Sequence, residues 1–276
     1  MEDTRTLEQK REQYEIEKQL ADRLRHSTRE ERRVLYATLY DELFARVPYH
    51  PQLQRKSSSK LSTRRRVERQ LQNIEAFLRD DRTFLHVGPG DCALTLEAAR
   101  YVKRAYAVDV SSEITKGLEA PPNFALILSD GVSIPVPPGS VDVAYSDQLM
   151  EHLHPDDASD QLKNIYEALA PGGVYFCITP NRLNGPHDIS CFFDRVATGL
   201  HLKEYTVTEL GRLFRETGFS RVRAFIRLGR LRIFFPPAPI EWCEGFLSAL
   251  PYGPRKRIAS SVPMRLLLGV RLVGTK

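Results

Sequence analysis

Residues 83–99, TFLHVGPGDCALTLEAA, constrain the fold more than any other stretch of this chain. An apolar run suited to a buried strand leads straight into Gly88-Pro89-Gly90-Asp91, and a helical pattern follows. Gly88 and Gly90 lack a Cβ, so the backbone there can turn tightly and approach a ligand closely. The helix that follows begins with unpaired amide N–H groups, which suits an anionic or polar ligand. Strand, glycine turn and helix in this order make a nucleotide-cofactor loop.

The rest of the chain says what surrounds that loop. Its 276 residues, 42% apolar, suffice for one large α/β domain with additions. The net charge of +5 divides as +4 over residues 1–82, −8 over 83–218 and +9 over 219–276, an acidic core between basic flanks. Cys92, Cys177, Cys191 and Cys243 are scattered, with no C-x-x-C pair and no histidine at zinc-finger spacing. That pattern predicts a reducing compartment and no metal. The amino-terminal residues are charged throughout and no apolar run approaches the ~20 residues of a membrane span, so a soluble, cytoplasmic protein is expected.

Residues 1–48 read as helices. Tyr14, Ile16, Leu20 and Leu24 form one apolar stripe, and Leu35, Leu39, Leu43 and Val47 a second. Ser27 and Glu30 stand at capping-box spacing for the second helix, and Pro48 and Pro51 stop it. Residues 55–66, RKSSSKLSTRRR, read as a basic linker, and Val67, Leu71, Ile74 and Leu78 as a further helix. From residue 83, short apolar strands alternate with helical patterns, which predicts a parallel sheet covered on both faces. Strands are expected at 83–87, 105–110, 124–128, 141–145 and 174–178, then at 220–226 and 269–274, with a helix over 157–169.

Open α/β sheets bind ligands at the carboxyl ends of their strands, and each such point here carries polar residues. Gly88, Gly90 and Ala93 satisfy G-x-G-x-x-A, and Asp109 follows about 20 residues on, where a carboxylate can accept both ribose hydroxyls. On those residues alone an NAD(P)-dependent oxidoreductase is a rival reading, although no Tyr/Lys or Cys/His catalytic signature accompanies them. The later landmarks, LSDG with Asp130 and Gly131, VDVAYSDQLMEHLHPDD, LAPGGVYFCITPN and HLKEYTVTELGRLFRETGF, come in a set order. In that order the stretch 83–225 resembles the class I S-adenosylmethionine-dependent methyltransferases.

The resemblance implies a Rossmann-like, seven-stranded, mostly parallel sheet with helices on both faces. Residues 1–82 would form an N-terminal helical cap and linker, and residues 83–276 the catalytic domain, with an insertion over 227–268 before the last strand. It implies S-adenosylmethionine as cofactor, held by Gly88, Pro89, Gly90 and Asp91, by Asp109 and Val110 at the ribose, by Asp130 and Gly131 at the adenine, and by Ser146, Asp147 and Gln148 near the methionine moiety. Cys92 departs from the family, which often has a third glycine there. Asp91 reads equally well as a helix cap, and Asp130 as a simple Asp-Gly turn.

Catalytic residues are harder to read. His152 and His154, near the end of the fourth strand, and Tyr205 are the candidates to take an acceptor proton, with His187, His201 and Glu204 in reach; helix-cap or packing roles compete. No serine or cysteine triad is present. The section containing Arg227, Arg230, Arg232, Arg255, Lys256 and Arg257 among Phe234, Phe235, Trp242 and Phe246 suits an anionic substrate or membrane surface, or simply a solvated rim. The arginines at 64–66 lack interleaved aromatics, so a nucleic-acid partner is not expected. The expected activity is methyl transfer to a small molecule, with a non-catalytic cofactor-binding scaffold as the other alternative.

Overall fold

The computed structural model describes every residue except 1, 2, 4, 57–59, 112–118 and 230. Thr83–Val87 (β1) and Arg104–Asp109 (β2) run parallel in register, and Phe124–Leu128 (β3) continues the sheet beyond β2. Val141–Asp147 (β4) pairs with the other side of β1, and Leu169–Thr179 (β5) pairs parallel to β4. The sheet is completed by Arg221–Leu228 (β6), Leu231–Phe235 (β7) and Val270–Thr275 (β8), in the order β3-β2-β1-β4-β5-β8-β6-β7. β8 is antiparallel to both β5 and β6, and β7 is antiparallel to β6.

Eight strands therefore replace the seven expected. The extra one is β7, inside the 227–268 insertion, where Gly229 at φ 59° turns the chain back from β6. A glycine at this point between two apolar runs is a hairpin signal, hidden in the sequence by the prolines that follow. The remainder of the insertion folds into three short helices, Ala238–Ser248 (α8), Tyr252–Ala259 (α9) and Val262–Leu268 (α10).

Alternation along the strands builds two apolar layers. Leu85, Val87, Ala144 and Tyr175 face one cluster, while Phe84, Val143, Tyr145 and Phe176 face the other, as a period of two requires. Lys60–Ile74 (α4) and Ala93–Ala98 (α5) cover the second face through Val67, Ile74, Leu94 and Ala98. Pro155–Ala168 (α6) and Val207–Thr217 (α7) cover the first through Leu162, Ile165, Leu210 and Phe214. Residues 60–66, expected as linker, are the first half of α4; Arg64 there pairs with Glu68 one turn on, so its charge lies on the solvated side.

Leu7–His26 (α1) and Arg29–Arg46 (α2) form an antiparallel pair whose Leu20, Leu24, Leu39 and Leu43 are fully buried. The cap of α2 lies one residue later than predicted. Thr28 accepts from the Glu31 amide and the Glu31 carboxylate accepts from Thr28 N–H, whereas the Ser27 hydroxyl donates back to the Arg23 carbonyl and closes α1. This hairpin shares its apolar cluster with β1, β2 and β4 and lies across the carboxyl end of the sheet. Among the described residues no helix is long and apolar enough to cross a membrane.

Candidate functional site

The sheet order reverses beside β1: β2 and β3 lie on one side, β4 and β5 on the other. Connections leaving β1 and β4 diverge there, the place where open α/β sheets form a ligand crevice at the carboxyl edge. The loop after β1 lines it. Gly88 and Gly90 adopt left-handed backbone at φ 66° and 58°. A Cβ on Gly88 would meet Leu149 Cδ1 at 2.9 Å, whereas around the Cβ position of Gly90 nothing lies within 4 Å. Cys92 is buried and also left-handed, at φ 56°. That left-handed backbone explains why the resembled family often has a glycine at this position.

Asp91 takes on two structural tasks: one carboxylate oxygen accepts from the Ala93 amide and the other pairs with Arg66 of α4. Asp109 ends β2, and its Oδ1 accepts from the Val110 amide at 2.7 Å and from Ser111 at 3.3 Å. Burial raises its pKa above the ordinary range, and the amides of Ser111, Val110 and Gly90 only partly offset this.

Asp130 organises its own loop. Its oxygens accept from the Val132 and Ser133 amides and the Ser133 hydroxyl, and Arg33 of α2 stands 3.4 Å away. Burial raises this carboxyl, but those partners outweigh it and hold the pKa below normal. Gly131, at φ 85°, admits the Tyr36 ring, which a Cβ would meet at 2.9 Å. After β4, Ser146 is fully buried and its hydroxyl lies 2.7 Å from that of Tyr175, so it faces the core. Asp147 Oδ2 accepts from Gln70 of α4 and from the Tyr145 hydroxyl. Gln148 is exposed and left-handed at φ 58°, a conformation that turns the chain at the crevice.

The three catalytic candidates separate. His154 is the N-cap of α6, its Nδ1 accepting from the Asp156 amide, while its own amide donates to the Tyr36 hydroxyl. Tyr205 is fully buried and its hydroxyl lacks a hydrogen-bond partner among the described residues. His152 alone joins a polar group, with Glu151 and His201, under Tyr40 of α2, whose ring centroid is 6.1 Å from that of His152. Burial pushes Glu151 up to about 7 and His152 down to about 3. Burial also disfavours protonated His201, but the Glu204 carboxylate beside it raises its pKa overall. Glu204, despite burial, is brought down to about 2 by hydrogen bonds from His187 and His201.

Sequence reading missed Glu151, Tyr40 and Thr179. Glu151 lies in the stretch VDVAYSDQLMEHLHPDD, but its burial depends on packing from segments far along the chain. In the basic carboxyl-terminal section, Arg230 lies outside the described residues. Arg227 donates to the Arg69 carbonyl, Arg232 pairs with Glu75, and Lys256 donates to the Asn184 and Gly185 carbonyls, so these charges serve the fold. Trp242 and Phe246, one turn apart on α8, are 82% and 65% exposed.

A sheet that reverses its order at β1, with a glycine loop after β1 and an acid closing β2, is a Rossmann-like arrangement suited to a nucleotide cofactor. Residues 85–177 match the family model described as Methyltransferase domain, and that core belongs to the S-adenosylmethionine-dependent methyltransferases. Over 87 residues the chain is 34% identical to a probable S-adenosylmethionine-dependent methyltransferase of Mycolicibacterium smegmatis, and the alignment covers 32% of either protein. The chain therefore matches about a third of the length of that curated relative.

Similar solved structures include a SAM-dependent methyltransferase from Archaeoglobus fulgidus, with a TM-score of 0.51 and 18% identity over 79% of this chain and 95% of that one. Another is a SAM-dependent methyltransferase from Thermotoga maritima, described as a possible histamine N-methyltransferase, with a TM-score of 0.51 and 15% identity over 96% and 99% of the two chains. At these identities the likeness is one of fold.

Proposed function

We propose that the protein binds S-adenosylmethionine in the crevice at the carboxyl end of β1, β2 and β4 and transfers its methyl group to a small molecule held beneath the α1–α2 hairpin. The observation that carries this reading is the junction of Gly90 and Asp109. Nothing lies within 4 Å of the Gly90 Cβ position, and the half-buried carboxylate of Asp109 closes the neighbouring strand β2, paired in register with β1. Those features fit a nucleoside whose ribose hydroxyls donate to Asp109.

The cofactor, when bound, supplies a methyl group activated by its sulfonium. The tasks left to the chain are alignment of the acceptor with that methyl and exclusion of water. Tyr36 and Tyr40 of α2 roof the crevice, and the buried bidentate pair of Arg32 with Asp157 fixes that roof to the start of α6. Asp147 and Gln148 stand at the end of β4 for the methionine moiety. Asp130 serves the adenine edge through the loop it shapes.

Calorimetric titration with S-adenosylhomocysteine, beside NADH, tests the reading. The expected result is micromolar binding of the homocysteine nucleoside, weakened about 30- to 100-fold in Asp109→Ala, the loss of roughly 2–3 kcal/mol of charge-assisted hydrogen bonding. Binding of NADH alone would restore the oxidoreductase, and cofactor binding without turnover on any acceptor would favour the scaffold.

A further inference from the structure

On the β5 side of the crevice, the chain brings together three donor groups that its sequence keeps apart. One carboxylate oxygen of Glu151 and one ring nitrogen each of His152 and His201 lie within 4.8 Å of one another. The outer partners of these groups are arranged as metal ligands require. His152 Nδ1 lies 3.1 Å from the Leu200 carbonyl, and His201 Nδ1 lies 2.8 Å from Glu204 Oε1. Each ring donates its Nδ1–H to a fixed acceptor and keeps the Nε2 lone pair, the arrangement that orients ligating histidines. Glu204 is itself held by the His187 amide at 2.7 Å.

Glu151 supplies an independent sign. Its side chain is fully buried, and one oxygen accepts from the Thr179 hydroxyl at 2.8 Å. The other, Oε1, has no hydrogen-bond partner among the described residues. A buried carboxylate oxygen without a donor is costly, and a cation facing it removes that cost.

We propose that Glu151 Oε1 and the Nε2 atoms of His152 and His201 bind a first-row divalent cation of the zinc type. Two imidazoles and one carboxylate suit such an ion better than Mg²⁺ or Ca²⁺, which take oxygen ligands. Bonds of about 2.1 Å place tetrahedral ligands about 3.4 Å apart, so the widest separation contracts by at most roughly 1.4 Å, within reach of small side-chain rotations. Three protein ligands leave a fourth position open to water or to an oxygen of the acceptor. The ion also fastens the turn after β4 to the 199–205 segment. Sequence spacing predicts no metal because 49 residues separate His152 from His201 and no short fingerprint spans them. The site is independent of the cofactor reading and survives if that reading fails.

The test is calorimetric titration of the full chain, stripped with a chelator, with ZnCl₂. One equivalent should bind, at least 100-fold more weakly in Glu151→Gln or His201→Gln and about 10- to 100-fold more weakly in Glu204→Gln, which acts through His201. His26→Gln, at an exposed histidine, should leave the titration unchanged. Should a variant misfold, the visible spectrum of the Co²⁺-loaded unmodified protein decides: ligand-field bands of a four-coordinate nitrogen and oxygen site are expected. Absence of stoichiometric binding, unaltered binding in Glu151→Gln, or a thiolate-to-cobalt charge-transfer band would overturn the site.

Discussion

Gly88 and Gly90 share a backbone conformation and differ in what surrounds them, so the same substitution should have two outcomes. Gly88→Ala adds a left-handed alanine and a contact with Leu149, which should cost at least about 1–2 kcal/mol, with melting lowered by about 2–4 °C per kcal/mol. Gly90→Ala bears the strain without the clash, but its methyl group enters the space proposed for the cofactor. In paired thermal melts and S-adenosylhomocysteine titrations, Gly88→Ala should show the larger stability loss and Gly90→Ala the larger affinity loss relative to stability. Equal affinity for the wild type and Gly90→Ala would remove the cofactor from that loop. Both glycines and Asp109 were legible in the sequence because a turn and a strand end are local features. The capping of α6 by His154 is equally local, and a helix-cap role competed in the sequence, whereas the burial of Tyr205 was not legible because it depends on atoms from elsewhere in the chain.

Among the elements, α2 joins the hairpin to the catalytic layer. Arg32 and Tyr36 both reach Asp157 in the first turn of α6, and all three are buried. Removal of one partner strands a charge, so Asp157→Asn should cost about 3 kcal/mol, read as a shift in the urea midpoint at constant slope. The pair also sets an acid limit. Burial raises the Asp157 carboxyl, but Arg32 and Tyr36 outweigh it and hold the folded-state pKa below its ordinary value. Its contribution is therefore complete above the unfolded-state value of about 3.9 and is lost as pH falls below that. Between pH 5 and 3 the wild type should lose more stability than Asp157→Asn, and parallel pH curves would refute this. Removal of the α2 cap by Thr28→Ala should cost only about 1 kcal/mol. Helix stripes and strand runs revealed these elements in advance, whereas β7 and the helical state of residues 60–66 emerged only with neighbours to pack against.

For the whole molecule, the sequence suggests one catalytic domain over residues 83–276 with a helical cap and linker over 1–82, and α1, α2, β1, β2 and β4 contribute to one apolar cluster. Urea unfolding followed by near-ultraviolet circular dichroism, which reports the buried tyrosines Tyr145, Tyr175 and Tyr205, and by far-ultraviolet circular dichroism should accordingly give coincident single transitions. A separate early transition in helical signal would mark the hairpin as an independent unit. What the sequence determined by itself was the order of most elements, the glycine loop after β1 and the acids at strand ends, because periodicity, glycine turns and strand-end polarity act within a few residues. Tertiary structure alone decided which polar groups lose water and which meet. Glu151, Thr179 and His201 come from separate segments, and only sheet packing could bury an unpartnered carboxylate oxygen beside two imidazoles.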